Sequence, residues 1–379
     1  FSSTPGALAT TATGPWIGIA IDATSIRLSG VHDGLSGLVA GTAYGSDASG
    51  VITASQAANI GYAVSATELV LRPRYGATAL PGAAAAYWIF DGGADQVVNK
   101  STSFTTVTDA TDFGTMTSTD LYSMGAAAST TRILNAGGYS ASNFISYLDV
   151  NSATSGFDFS DLTVGRWGAS GSGSTTRALW SGGKIGSTSQ NVVDYVTIAS
   201  AGVNAVDFGD LTVAREFPAA YGSTTRGIAA GGASGGGGTA QDVVDYVSWS
   251  STGNSVDFGN LYTARGNFSG ASNSTRGINC AGQTGSGAGF ATAITGYLTI
   301  ASLGDSVDFG SLTADHRLGG SAASTTHVLT AGGMNDASAN VSLIEGATIA
   351  SVGSWGAIGD LDGTNNYTCA GCSTGHGGL

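Results

Sequence analysis

Val256-Asp-Phe-Gly-Asn-Leu261 is the stretch that decides the fold, because its core returns along the chain. Asp257-Phe258-Gly259 is matched by Asp112-Phe113-Gly114, Asp158-Phe159-Ser160, Asp207-Phe208-Gly209 and Asp308-Phe309-Gly310. A worn sixth copy, Ala357-Ile358-Gly359, follows in register. The steps between copies are 46, 49, 50, 51 and 49 residues. A period of about 50 residues made of short strands indicates a radial or linear β-array.

Reading outward from this anchor gives one complete unit over residues 223–265. Ser223-Thr-Thr-Arg226 leads into Gly227-Ile-Ala-Ala-Gly231-Gly232, and a Gly/Ser-rich loop follows. Then come Val243-Val-Asp-Tyr246-Val-Ser-Trp249, the anchor itself, and Thr263-Ala-Arg265. These are strand-like runs punctuated by Gly, Ser and Asn. Four short antiparallel strands per unit make one propeller blade.

The unit resembles the kelch repeat: a small-residue strand ending in Gly-Gly, a strand bearing a Tyr, an aromatic about twelve residues later, then an Arg. Phe stands where kelch repeats usually carry Trp. The Gly pairs are Gly137-Gly138, Gly182-Gly183, Gly231-Gly232 and Gly332-Gly333, weakened to Ala281-Gly282 in one copy. The Tyr positions are Tyr147, Tyr195, Tyr246 and Tyr297. The flavour of the copies, with the ending Ser373-Thr-Gly-His-Gly-Gly-Leu379, also resembles repeats in tailed-phage virion proteins of the fibre or appendage type.

An extra Gly92-Gly93 after Ala83-Ala-Ala-Ala-Tyr-Trp-Ile-Phe90 reads as a second strand with no first strand before it. Tyr367-Thr-Cys-Ala-Gly-Cys-Ser-Thr-Gly-His376 aligns with a first strand and its turn. The expectation is an all-β chain: a six-bladed kelch-like propeller over 77–379, closed by its last strand, behind a small β-module at 1–76. In the module, Ile17–Leu28 matches Ile60–Leu71 at an offset of 43, and Leu38–Tyr44 with Val51–Thr53 reads as a hairpin. It resembles the tandem β-modules that precede tip domains in phage fibres, with Arg72–Gly76 as linker. Modules so small bury little core, so a homo-oligomer is expected, a trimer among the options. Phe1 instead of Met suggests a fragment or processed form.

Composition narrows the function. The 379 residues carry a net charge of −13 and only 13 Lys and Arg, which argues against a nucleic-acid groove and a polybasic membrane surface. No run of about 18 apolar residues exists, so no membrane-spanning helix is expected. Three cysteines, Cys280, Cys369 and Cys372, are too few for a disulfide framework.

The candidate chemistry falls to structural readings. An Asp that recurs in each regular blade is a turn former bonding its own backbone amides, not a kinase-like metal ligand. Ser255 to Gly259 and Ser306 to Gly310 partly resemble the sialidase Asp-box, yet Glu occurs only at Glu68, Glu216 and Glu345. Eight of the eleven Arg fall in two registers, Arg166, Arg215, Arg265, Arg317 and Arg132, Arg177, Arg226, Arg276. Arg in register is expected to tie neighbouring blades through a carboxylate or carbonyl. Cys369 and Cys372, three apart on one strand, face opposite sides and do not make a metal pair with His376. Only His32, His316, His327 and His376 are available for oxidase-like copper chemistry, too few off the repeat registers. No catalytic, cofactor-binding or metal-binding residue is assigned.

The structural repeat is represented by Asp207, Phe208, Gly209, Arg215, Arg226, Gly231, Gly232, Tyr246, Asp257, Phe258 and Arg265. Recognition is assigned to the variable loops after each Gly pair, through Tyr139, Asn143, Lys184, Gln190, Gln241, Gln283, Asn335 and Asp336. The resemblance implies a non-enzymatic, extracellular virion protein, a tail fibre or appendage used for host attachment or structural capping. Its module would hold other virion proteins and its ring a host cell-surface glycan. A secreted carbohydrate-binding or carbohydrate-active propeller and an intracellular adaptor are the alternatives.

Overall fold

The computed structural model describes residues 85–91, 96–101, 104–106, 108–116, 125–150, 155–236, 238–286, 289–353, 355–362 and 368–379, with eight short strands before residue 72. The chain divides into two units, Phe1–Leu80 and Pro81–Leu379. In the first, Ala43–Ser46 and Ile52–Ala54 form an antiparallel hairpin within a five-stranded sheet. Apart from these eight strands, the residues of the expected module, and the Arg72–Gly76 linker, lie outside the described residues.

The second unit is a six-bladed β-propeller, and no helix occurs among its described residues. Each blade is a four-stranded antiparallel sheet. Blade II runs Gly125–Ala128, Arg132–Ala136, Phe144–Asp149 and Phe157–Asp161, from the axis outward. Blade III follows as Ser170–Gly173, Arg177–Ser181, Val192–Thr197 and Val206–Asp210. Blade IV is Ala219–Gly222, Arg226–Ser234, Thr239–Ser248 and Val256–Asn260. Blade V is Ser269–Ser272, Arg276–Cys280, Thr292–Thr299 and Val307–His316. Blade VI is Gly320–Ala323, His327–Ala331, Leu343–Thr348 and Gly356–Asp360.

Blade I takes its inner strand from the far end of the chain. Cys369–Ser373 pairs antiparallel with Ala86–Asp91, Cys369 opposite Phe90 and Ser373 opposite Ala86. Gln96–Ser101 and Thr111–Met116 complete that blade. The ring is closed at its inner wall, where the inner strands of blades VI and I pack together and that of blade I packs on blade II. It is closed at the rim as well, since Thr108 and Ala110 of blade I donate to Ile358 and Asp360 of blade VI.

The repeated sequence explains this geometry. Asp207 Oδ1 accepts the Gly209 amide at 3.0 Å, Asp112 and Asp308 do the same for Gly114 and Gly310, and the strand bulges there. Gly209 sits at φ 144°, and a Cβ on it would overlap the Gly253 carbonyl of the next blade. That proximity lets Gly253 and Ser255 donate to Phe208 and Asp210 at 2.7 and 2.8 Å. Each outer edge thus pairs with a loop of the following blade, leaving no open blade edge among the described residues of the ring. The Ser-Thr-Thr-Arg turns work similarly: Ser223 Oγ accepts the amides of Thr225 and Arg226.

Hydrophobic cores lie in the six seams between blades. Seam III/IV, for instance, joins Leu179, Val193 and Phe208 to Ala229, Val247 and Trp249. At the axis only small side chains fit, because Gly125 faces Gly171 and Gly320 faces Gly371 with no room for a Cβ.

Candidate functional site: the loop face of the ring

Two Arg registers hold the frame. The first opens each second strand. Arg132, Arg177, Arg226 and Arg276 lie over Tyr147, Tyr195, Tyr246 and Tyr297 at 4.6–4.8 Å, and each of those rings meets the anchor Phe edge-on. The guanidinium then reaches the next blade, Arg226 bonding Ile300 O at 2.8 Å and Arg132 bonding Ile198 O at 2.7 Å. Cation–π stacking and a charged hydrogen bond join three strands and a seam.

The second register lies in the links from outer to inner strand and is fully buried. Arg166 bonds Asp194 at 2.5 Å, Gly182 O at 2.7 Å and Trp180 O at 3.0 Å. Arg215 bonds Asp245 at 2.8 Å and Ala229 O at 3.0 Å. Among the described residues, Arg265 hydrogen-bonds only carbonyls, those of Ala281 and Ile294. The expected fourth member, Arg317, is out of register by one. Counting from the buried Leu312, His316 takes the Arg place, as its carbonyl shows by accepting the Gly282 amide where Arg215 accepts Gly183 and Arg265 accepts Gly232. Arg317 exchanges backbone bonds with Met334 instead.

Those bonds define the positions where the repeat stops constraining the side chain. The residue after the buried Arg forms a backbone bridge to the residue after the Gly pair of the next blade. The bridges are Trp167 with Lys184, Glu216 with Ala233, Gly266 with Gln283, and Arg317 with Met334. The backbone repeats and the side chains do not. One residue further on, the chain is left-handed: Gly168, Phe217, Asn267 and Leu318 have φ between 51° and 69°. For Phe and Leu this backbone is strained by about 1 kcal/mol or more. Phe217 N donates to Gly168 O, Leu318 N to Asn267 O and Cys369 N to Leu318 O, so the links chain together around the axis.

The side chains so placed gather at one end of the ring. Phe217, Phe268, Leu318 and Thr368 rim an axial mouth of about 70 Å³ whose wall carries Ser170, Ser269 and Ser321. Ser170 Oγ bonds Pro218 O, and Ser269 bonds Ser321 at 2.6 Å. A row of aromatic rings runs outward from the mouth. Phe217 meets Trp167 at 5.6 Å, and Trp167 meets Tyr139 at 5.1 Å. Tyr139 is 60% exposed. Lys184 is buried beneath the row, 3.9 Å from the Trp167 ring and paired with Glu216 at 2.8 Å.

The eight loop residues expected to recognise a ligand are spread over blades II to VI and do not converge. Tyr139 and Lys184 share Trp167, and Asn143 is exposed nearby in chain. Gln190 and Gln241 bond loop oxygens of their own hairpins, Thr188 O and Ser234 Oγ. Gln283 is buried on its bridge to Gly266. Asn335 accepts the Ala339 amide, and Asp336 accepts the Ala291 amide at 2.7 Å. Trp167, Glu216, Phe217, Phe268 and Leu318 were missed, because a search for repeats passes over positions that do not repeat. Their signal was offset: the first three residues after each buried Arg, or after His316 where it takes the Arg place.

Cys369 and Cys372 are buried in different seams, VI/I and I/II, and burial pushes both thiols up. Cys280 is buried in seam V/VI, and its thiol is pushed up to about 12. Burial also holds His316 neutral, pushed down to about 4.

A scan against protein-family models and a search of curated proteins find no match to this chain.

Proposed function

We propose that this chain is a non-enzymatic virion protein of the tail-fibre or appendage type, with a kelch-like ring that attaches to a host cell surface. The reading rests on the resemblances of the repeat and of the 1–76 region. Its structural support is one observation: the aromatic row Tyr139–Trp167–Phe217 stands on registers that the frame leaves free, and it opens on the axial mouth. Aromatic faces beside hydroxyls and backbone carbonyls suit the apolar face and hydroxyl edge of a surface glycan. A net charge of −13 disfavours anionic polymers. Affinity per ring is weak in this reading and is raised by several copies per particle.

The test compares purified wild-type chain with a Tyr139→Ala/Trp167→Ala variant on host cells and on a glycan array. The variant should keep its melting temperature and lose binding at least tenfold. Equal binding by both would remove the row from recognition. Turnover of any glycan in the same assays would end the non-enzymatic reading. Normal adsorption by particles lacking residues 83–379 would leave the ring a structural part only.

A further inference from the structure

The opposite end of the axis is closed by a different device. Ala126, Gly171, Ala220, Gly270, Ser321 and Gly371 form one narrow level in the ring, shared by the mouth above and a second cavity of about 30 Å³ below. His376 lines that lower cavity, and the segment Thr374–Leu379 lies across its opening. Thr374 exchanges bonds with Ala85 on blade I, and Gly377 N donates to Ser272 O on blade V at 2.7 Å. A Cβ on Gly377 would overlap the Asn273 carbonyl, and one on Gly378 the Gly173 carbonyl, so only glycine seats this deeply.

His376 fastens the segment through both ring nitrogens. Gly378 N lies 3.1 Å from Nδ1, and an amide can only donate, so Nδ1 carries the lone pair. The ring proton is therefore on Nε2, which donates to Ala128 O at 2.8 Å. A second proton on Nδ1 would set two N–H groups against each other.

We propose that Thr374–Leu379 is an acid-released stopper: protonation of His376 withdraws the acceptor that holds Gly378, and the segment leaves the lower opening of the axis.

The surroundings give an imidazolium no compensation. Among the described residues no carboxylate lines the cavity, and its other titratable residues, Tyr221 and Cys372, stay neutral because burial pushes both up. The charged groups on the turns of this face are Arg132, Arg177, Arg226 and Arg276, turned onto their tyrosines, Lys100 over Tyr87 and Phe113, His327, held between Thr326 and Thr348, and the Asp149 carboxylate, which is committed to Arg132 at 3.2 Å. Burial lowers the His376 pKa from its ordinary value, with the Ala128 bond opposing. A released His376 takes up its proton near pH 6.5, and a seated one does so only at lower pH. Seating is complete above that value and weakens by up to tenfold for each pH unit below it.

Native-state hydrogen exchange, corrected for intrinsic rates, tests this between pH 7.5 and 5.0. The amides of Gly377 and Gly378 should lose protection at least tenfold on acidification, while Val193 and Val244 in the blades keep theirs. His376→Gln retains a donor for Ala128 O and cannot titrate, so its exchange should not change with pH. His327→Gln should behave as wild type. Protection retained by wild type at pH 5.0, or lost equally in H376Q, would overturn the proposal. If H376Q does not fold, the imidazole ¹⁵N shifts of His376 in wild type decide. Their titration must share its midpoint with the loss of protection, and separate midpoints would overturn the stopper.

Discussion

Seams III/IV and IV/V solve one problem in two ways. At III/IV, Arg215 pairs with Asp245, and Thr212 bonds the same carboxylate through its hydroxyl at 2.6 Å and its amide at 3.0 Å. At IV/V, the place of Asp245 is taken by Gly296 and that of Thr212 by Tyr262. The Tyr262 ring occupies the volume of the missing carboxylate: a Cβ on Gly296 would lie 2.7 Å from Tyr262 Cε1. Its hydroxyl donates to Thr295 O. Arg265 is left with two carbonyls, two aromatic rings and no carboxylate, and its Nε and Nη2 have no acceptor among the described residues. Burial works against the charge at both sites, but only Arg215 has a carboxylate opposing that shift. What the seam needs is therefore a filled volume and bonded carbonyls, with the ion pair as one way to supply them.

The sharpest test removes each cation. Arg215→Ala strands Asp245 as a buried unpaired charge and should cost about 3–5 kcal/mol in urea unfolding. Arg265→Ala strands only carbonyls and removes a poorly paired cation, so about 1–2 kcal/mol is expected. Equal losses would break the comparison and show that the carboxylate contributes little.

Seam V/VI carries a third solution, the neutral His316, which bonds Thr330 weakly at 3.4 Å. Its folded pKa, about 4, lies below the ordinary 6.5 of the unfolded chain. The unfolded state therefore takes up a proton first as pH falls. Stability contributed by this site is full above pH 6.5 and is lost down to about pH 4, by about 3 kcal/mol at most. His316→Arg, facing the register of Glu345, should flatten this part of the stability–pH curve. An unchanged slope in H316R would assign the pH dependence elsewhere.

The blade count was legible because Asp-Phe-Gly and its glycine bulge are local: each copy carries its own turn chemistry. The closure by Cys369–Ser373 was legible from a missing strand at one end and a surplus strand at the other. The buried register was not fully so. Asp315-His316-Arg317 places an Arg one residue late, and only the distance from Leu312 shows that His316 is the buried member. The Tyr262–Gly296 exchange was invisible, since the two halves lie 34 residues apart and only packing couples them. Trp167 and Phe217 escaped because a period marks what is kept, while a face for recognition is made of what varies.

A double-mutant cycle sharpens the coupling of those halves. Gly296→Asp alone drives a side chain into the Tyr262 ring, and Tyr262→Thr alone empties the space, each costing about 1–3 kcal/mol. The double variant recreates the III/IV arrangement around Arg265, so its cost should fall short of the sum by at least about 1 kcal/mol. Additive losses would mean that the two positions vary independently.

The smallest effect concerns the anchor Asp itself. Asp207 is exposed and bonds one amide, that of Gly209. Blade VI has Ala357 at this position, yet its outer strand still shifts register between Ile344 and Glu345, as blade III does between Val193 and Asp194. The bulge therefore survives without the carboxylate, because the loop of the next blade holds it. Asp207→Ala should cost about 0.5–1.5 kcal/mol, and Asp207→Asn, which keeps the acceptor, close to nothing. Ala357→Asp should gain a similar small amount in blade VI. Thermal unfolding of the three variants checks this ordering. A loss above about 3 kcal/mol in Asp207→Ala, or an equal loss in Asp207→Asn, would mean that the charge itself is required and that a cation contacts the anchor.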